Sequence, residues 1–150
     1  LRHLMAQAQR NGLGLYLLLI DLDHFKQIND TQGHDAGDAV LRTVAACLNR
    51  SVRESDRTAR LGGDEFAVLL PDTAEPAAAE VACRRIAEGL AKLLPTDLPA
   101  TVLPSASIGA ACYPRDAADV DTLYKAADLA LYEAKHAGRA RWQLYGCPPA

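Results

Sequence analysis

Four carboxylates stand at two places in this chain where acids are costly unless they have a partner. Asp21 and Asp23 follow the apolar run Leu15 to Ile20, and Asp64 and Glu65 follow the glycine pair Gly62-Gly63. An unbroken apolar run of strand length reads as a strand buried on both faces. Carboxylates at its end lose solvation unless they are paired or hold a cation. Strand alternation sends Asp21 and Asp23 to one face, with the Leu22 carbonyl close by. Hard oxygen donors of this kind suit magnesium, which keeps some waters and shares substrate phosphates. At the second place, two glycines let the backbone turn tightly and approach a ligand, and two acids project from the tip. Acids from two neighbouring strands could clamp a divalent cation between them, as in metal-assisted phosphoryl transfer. The plainer alternatives are that one aspartate caps the turn His24-Phe25-Lys26, and that Gly62-Gly63 makes an ordinary turn with solvated charges.

These acids must be positioned by the elements around them. Leu1 to Arg10 reads as a helix with Leu1, Leu4, Met5 and Ala8 on one face, broken at Asn11-Gly12. Val40, Val44 and Leu48 recur at four-residue steps and predict a helix over 35–50. Arg57 to Leu61 and Phe66 to Leu70 read as two strands of a hairpin whose turn is Gly62 to Glu65. A helix is expected over 75–94, a loop over 95–99, and a strand within 100–113 whose Pro104 marks a bulge or an edge. The last long helix begins under a cap from Asp119 or Asp121, runs to about His136, and ends at Gly138 as a left-handed cap. A short strand over 142–145 closes the chain. A hairpin mixed with crossover helices predicts an α/β fold: a mixed central sheet flanked by helices.

Composition narrows the function. Of the 150 residues, 49% are hydrophobic and 23% charged, a globular balance in a chain of single-domain length. The formal net charge of −3 argues against a nucleic acid polymer as ligand, so any phosphate must be held by a few local cations, backbone N–H groups or a metal. Cys47, Cys83, Cys112 and Cys147 form no C-x-x-C pair and imply free thiols in a reducing cytoplasm. The apolar run ending at Asp21 is too short to span a bilayer, so this stretch of chain is expected to make no membrane contact, although a longer parent protein could carry an anchor.

Leu61-Gly62-Gly63-Asp64-Glu65-Phe66 resembles the signature of the GGDEF family of diguanylate cyclases. Asp21-Leu22-Asp23-His24-Phe25-Lys26 resembles the family's first metal strand and phosphate turn, and Asn29-Asp30 with Gly33-His34-Asp35 through Gly37-Asp38 its nucleotide segment. Ser107-Ile108-Gly109 is similar to its late strand, and Ala127-Asp128 through Gly138-Arg139 to its final helix. The resemblance runs from about Leu15 onward and implies a palm-like nucleotide cyclase fold. We read the whole of 1–150 as one such domain, without the Asp-x-Leu-Thr-Gly-Leu-x-Asn-Arg segment usual before the first helix. Ala140 stands where the family often has Asn.

The resemblance implies that magnesium, with manganese as the alternative, is held by Asp21, Asp64 and the Leu22 carbonyl. Asp64 helps to deprotonate the attacking ribose 3′-hydroxyl, with Glu65 as the adjacent acid. His24, Phe25 and Lys26 offer backbone N–H groups to phosphates. Asn29 and Asp38 read guanine, with His34 in the same segment, and Lys135 and Arg139 neutralise the triphosphate. The expected activity joins two GTP into cyclic di-GMP, with two copies of the domain meeting as a homodimer at least during turnover. Each side chain also has a structural explanation when taken singly: a satisfied turn for Asn29, a first-turn acid for Asp38, a packed loop for His34, a helix C-terminus for Lys135 and Arg139.

A third motif, Arg53-Glu54-Ser55-Asp56, lies five residues before Gly62. Its R-x-x-D form and position resemble the family's inhibitory product site, with Arg84 contributing from the neighbouring helix; the alternative is a surface ion pair of small energetic value. Two rivals stand beside the cyclase reading. One is a catalytically silent domain that binds GTP or cyclic di-GMP as a regulatory module, and the other is a different enzyme on a palm-like fold.

Overall fold

The computed structural model describes residues 1–93 and 105–148. At its centre is β1 (Leu15–Leu22), eight residues all buried, as an unbroken apolar run requires. It pairs antiparallel on one side with β3 (Glu65–Pro71) and on the other with β4 (Ala106–Tyr113). The hairpin partner β2 (Arg57–Gly62) forms one edge, and β5 (Trp142–Leu144) lies parallel to β4 at the other, giving the order β2-β3-β1-β4-β5. The sheet is therefore mixed, as expected.

Alternation along β1 builds two cores. Tyr16, Leu18, Ile20 and Leu22 face α3 (His34–Ser51) and α4 (Pro76–Ala91), packing on Val40, Val44, Leu48, Cys83 and Ile86. Leu15, Leu17 and Leu19 face α1 (Arg2–Asn11) and α5 (Val120–His136), packing on Met5, Ala8, Leu123, Ala127 and Leu131. The result is a helix–sheet–helix sandwich with Asp21 at the α5 side of the sheet's end.

Three of the expected boundaries resolve cleanly. Asp119 rather than Asp121 caps α5, accepting from Thr122 N–H (2.8 Å) in a reciprocal capping box. Gly12, at φ 65°, closes α1 in the left-handed conformation. The end of α5 is as expected: after the C-cap Ala137, Gly138 takes a positive φ (118°), and Gly138 N–H and Arg139 N–H close the helix on the Lys135 and Ala134 carbonyls (3.4 and 3.1 Å).

Two expectations change. The segment read as a turn at His24-Phe25-Lys26 opens a further helix, α2 (Phe25–Gln32), which buries only Phe25 and Ile28. Two apolar anchors in eight residues are too few for a periodic signal. Strand β4 begins at Ala106, after the proline expected inside it; Pro104, Leu94 and the loop 95–99 lie outside the described residues.

Candidate functional site

The acidic hairpin tip reaches the end of β1 because of strand register. Asp21 pairs directly with Glu65 across the β1–β3 ladder, and Leu22 N–H donates to the Asp64 carbonyl (3.2 Å). Directly opposed residues of a ladder share a face. Glu65 thus shares the face of Asp21, and Asp64, in the turn just before β3, brings its carboxyl within hydrogen-bonding reach of Asp21. Its pKa is pushed up from 3.8 to about 6, first by burial, then by the hydrogen bond and negative charge of Asp21, with a smaller push from Glu65.

Asp21 is 8% exposed, and one of its oxygens accepts from the Lys135 ammonium. The other oxygen, Oδ1, is buried without a hydrogen-bond partner. A buried carboxylate oxygen left bare beside a second carboxyl is costly, and a cation would offset that cost. Among the described residues no group of three or more His, Cys, Asp or Glu side chains is placed to hold a metal ion. Two carboxylates and one backbone carbonyl still suit magnesium, which completes its shell with water and phosphate oxygens.

Lys135 reaches Asp21 because α5 lies unusually close to the sheet. A Cβ at Gly109 of β4 would collide with Leu131 N and Ala127 O of α5, so only glycine allows this approach. Arg139 lies in the turn beyond α5, is exposed, and its guanidinium makes no hydrogen bond among the described residues.

At the other side of the strand end, His24 adopts a left-handed conformation (φ 57°) and starts α2 without a side-chain cap. The first N–H groups of a helix have no intrahelical partner, so those of Phe25 and Lys26 are suited to an anion. On the next turn of α2, Asn29 packs its Oδ1 against Gly37 of α3, where a Cβ would collide with it. Asp38 follows immediately and is exposed. His34, the first residue of α3, lies one helical turn before Asp38 and on the same side of the helix. Asp38 lines a hollow of ≈ 330 Å³ with Leu41, Arg42, Ala45 and Arg60.

Asp23 departs from the expectation that it joins Asp21 as an oxygen donor to a cation. Its carboxylate accepts from Ser105 Oγ (2.7 Å), Ser107 Oγ (2.7 Å) and Ala140 N–H (3.0 Å). It is thus occupied by three protein donors. Arg60 is a residue the sequence did not single out. Its Nε and Nη2 donate to the Gly63 carbonyl (3.1 and 2.9 Å), pinning the backbone just before Asp64.

The R-x-x-D segment forms a tight turn, in which Arg53 N–H donates to Asp56 Oδ2 (2.8 Å) and Asp56 N–H to Arg53 O (3.0 Å). The Asp56 carboxylate therefore serves its own backbone rather than the Arg53 guanidinium. A hollow of ≈ 250 Å³ beside it is lined by Arg53, Ser55, Asp56 and Arg85. The arginine that α4 presents here is Arg85, and Arg84 does not line the hollow, because one residue is about 100° of helix rotation.

Comparison with known proteins bears on the family and the fold. The family model "Diguanylate cyclase, GGDEF domain" matches residues 1–141. The chain is 41% identical over 145 residues to the probable diguanylate cyclase DgcC of Escherichia coli, covering 96% of this chain and 38% of that protein. It is 38% identical over 134 residues to the cyclic di-GMP phosphodiesterase NbdA of Pseudomonas aeruginosa, covering 89% of this chain but 17% of that one. Among solved structures, the GGDEF domain of PA1120 from Pseudomonas aeruginosa superposes with a TM-score of 0.91 at 39% identity, covering 99% of this chain and 92% of that one. The GGDEF domain of DgcB from Caulobacter crescentus, solved in complex with c-di-GMP, gives 0.86 at 31%, covering 98% and 86%.

Proposed function

The chain belongs to the GGDEF family of diguanylate cyclase domains, and from that premise we propose that it condenses two GTP into cyclic di-GMP with release of pyrophosphate. The observation that carries this reading is the approach of Asp64 to Asp21, a buried carboxylate whose Oδ1 has no hydrogen-bond partner. The chain spans well under half the length of the curated relatives it matches, so the activity proposed is that of this domain.

Asp21, Asp64 and the Leu22 carbonyl would hold magnesium or manganese, which when bound neutralises phosphate charge and favours the ribose alkoxide. The remaining work falls to the chain's own groups. Asn29 and Asp38 orient guanine, with His34 on the same helix face as Asp38; the carboxylate of Asp38 accepts from guanine N1–H and the 2-amino group. The α2 N–H groups at His24, Phe25 and Lys26, together with Lys135 and Arg139, hold the phosphates. Asp64, with its raised pKa, takes the 3′-hydroxyl proton, and Glu65 is the second acid beside it. The 3′-oxygen then bonds to the α-phosphorus of the other GTP, and the bond to the departing pyrophosphate breaks. The step is repeated in the opposite sense, which closes the ring. Positioning and charge neutralisation supply most of the acceleration.

One site of this geometry takes one GTP, so the reading requires two copies of the domain facing each other during turnover. Cyclic di-GMP would also bind at Arg53 and Asp56 as a feedback inhibitor, with Arg85 rather than Arg84 as the second cation. The domain would act in the cytoplasm, which keeps Cys47, Cys83, Cys112 and Cys147 as free thiols. No helix among the described residues is long and apolar enough to cross a membrane.

Incubation with GTP and magnesium tests the reading, with cyclic di-GMP and pyrophosphate as the products. GTP bound without turnover would favour a silent regulatory module, and preference for ATP would favour another palm-like enzyme.

A further inference from the structure

Three consecutive residues after α5 have positive φ: Gly138 (118°), Arg139 (62°) and Ala140 (49°). Glycine adopts such angles freely, but the arginine and the alanine do so at a cost. A turn of this kind persists only when its surroundings hold it. What holds this one is Asp23. Its Oδ2 accepts from Ala140 N–H (3.0 Å) and from Ser105 Oγ (2.7 Å), while Oδ1 accepts from Ser107 Oγ (2.7 Å). Asp23 N–H also donates to the Ser105 carbonyl (2.9 Å), which fixes its backbone to the start of β4. Asp23 is 8% exposed and Ser107 is fully buried, so the bond between them forms out of water, while those from Ser105 and Ala140 are part-buried.

We propose that Asp23 is a positioning residue whose carboxylate latches the turn after α5 and thereby sets where Arg139 and Lys135 present their cations. The latch joins the end of β1, two residues past Asp21, to the segment carrying the cations on the opposite side of the site. It fixes the carboxylate side and the phosphate side relative to each other. Arg139 lies immediately before the latched Ala140 amide, so its own backbone direction depends on that bond. Lys135 lies one turn earlier, where Arg139 N–H and Gly138 N–H close the helix on the Ala134 and Lys135 carbonyls (3.1 and 3.4 Å). The inference rests on the assignment of Lys135 and Arg139 to a triphosphate.

The test uses inorganic triphosphate as the probe, so that neither guanine nor catalysis enters. Asp23→Ala should weaken triphosphate binding about tenfold, because charge-assisted contacts demand placement. The Ala140 amide should also exchange with solvent at least about tenfold faster. Manganese affinity at Asp21 and Asp64, read by EPR, should change by less than about twofold. Asp23→Asn keeps a carbonyl for Ala140 N–H and Ser105 and turns its amide to Ser107, so it should recover most of the triphosphate affinity. Unchanged triphosphate binding in Asp23→Ala would overturn the proposal. So would equal losses of triphosphate and manganese affinity, which signify general loosening, or a parent chain that binds no triphosphate. A parent chain that binds triphosphate but makes no cyclic di-GMP would sink the cyclase reading and leave the latch standing.

Discussion

The Asp64 carboxyl lies within hydrogen-bonding reach of Asp21, whose Oδ1 is buried without a partner and whose other oxygen accepts from Lys135. One ammonium therefore stands against two converging acids, and burial together with the excess negative charge raises the Asp64 pKa to about 6. That imbalance makes the site responsive to cations and to pH.

The first prediction concerns that proton. The Asp64 pKa is raised from 3.8 to about 6, so the folded chain binds more protons than the unfolded one between those values. Stability without metal falls as pH rises through that window, and the cost is fully present above about 6. Asp64→Asn should raise metal-free stability at pH 7 by about 1 kcal/mol, discounted from the full shift because the group is partly in water. The gain should vanish near pH 4, which thermal melts at the two pH values would detect. The same variant should lose essentially all GTP turnover. Magnesium affinity of the parent should fall as pH drops below about 6, since cation and proton compete for the same carboxylate.

The second prediction concerns Gly109. A Cβ there would meet Leu131 N and Ala127 O, backbone atoms that cannot rotate away. In Gly109→Ala, α5 must shift outward, at an overpacking cost of about 1–3 kcal/mol. Lys135 moves with the helix, so turnover should fall by about tenfold or more beyond any loss of folded protein. Denaturant unfolding beside GTP turnover checks both, and an alanine variant of parental stability would contradict the close approach.

How much of this could be read from the sequence depended on the kind of signal. The apolar run Leu15 to Ile20 made β1 visible because a doubly buried strand has no other composition. The hairpin was visible because Gly62-Gly63 punctuates two strands. Helix α2 was missed because Phe25 and Ile28 alone anchor it, and the choice between Arg84 and Arg85 required the rotation of α4. Asp23 was visible as a costly acid, yet its three donors come from segments more than eighty residues away. No local pattern encodes such partners. Arg60 was overlooked because a single arginine in an exposed edge strand looks like ordinary surface charge.

The third prediction concerns that arginine. Arg60 donates twice to the Gly63 carbonyl, which fixes the peptide entering Asp64. The contact is exposed, so Arg60→Ala should cost less than about 1 kcal/mol of stability. Turnover should nonetheless fall by about tenfold, because a displaced carboxylate loses alignment with the reacting hydroxyl. Arg60→Lys, which offers a point charge without the planar fork, should recover only part of the loss. Matched melting temperatures with unequal turnover are the expected signature; equal turnover in all three proteins would remove Arg60 from the site.

The fourth prediction concerns Ala140. It sits at φ 49°, a left-handed conformation that costs an alanine about 1–2 kcal/mol relative to its relaxed state. Asparagine tolerates that region better, and it is the residue the family often has at this position. Ala140→Asn should therefore stabilise the domain by about 0.5–1 kcal/mol without disturbing the backbone N–H that donates to Asp23. Ala140→Gly relieves the same strain but adds unfolded-state entropy, so its gain should be smaller. Ala137, at φ −79°, carries no such strain, and Ala137→Gly should destabilise. Opposite signs for glycine at 140 and 137 in the same melting experiment would isolate backbone strain as the cause. A loss of stability in Ala140→Asn would mean that the turn is not held in the left-handed region in solution.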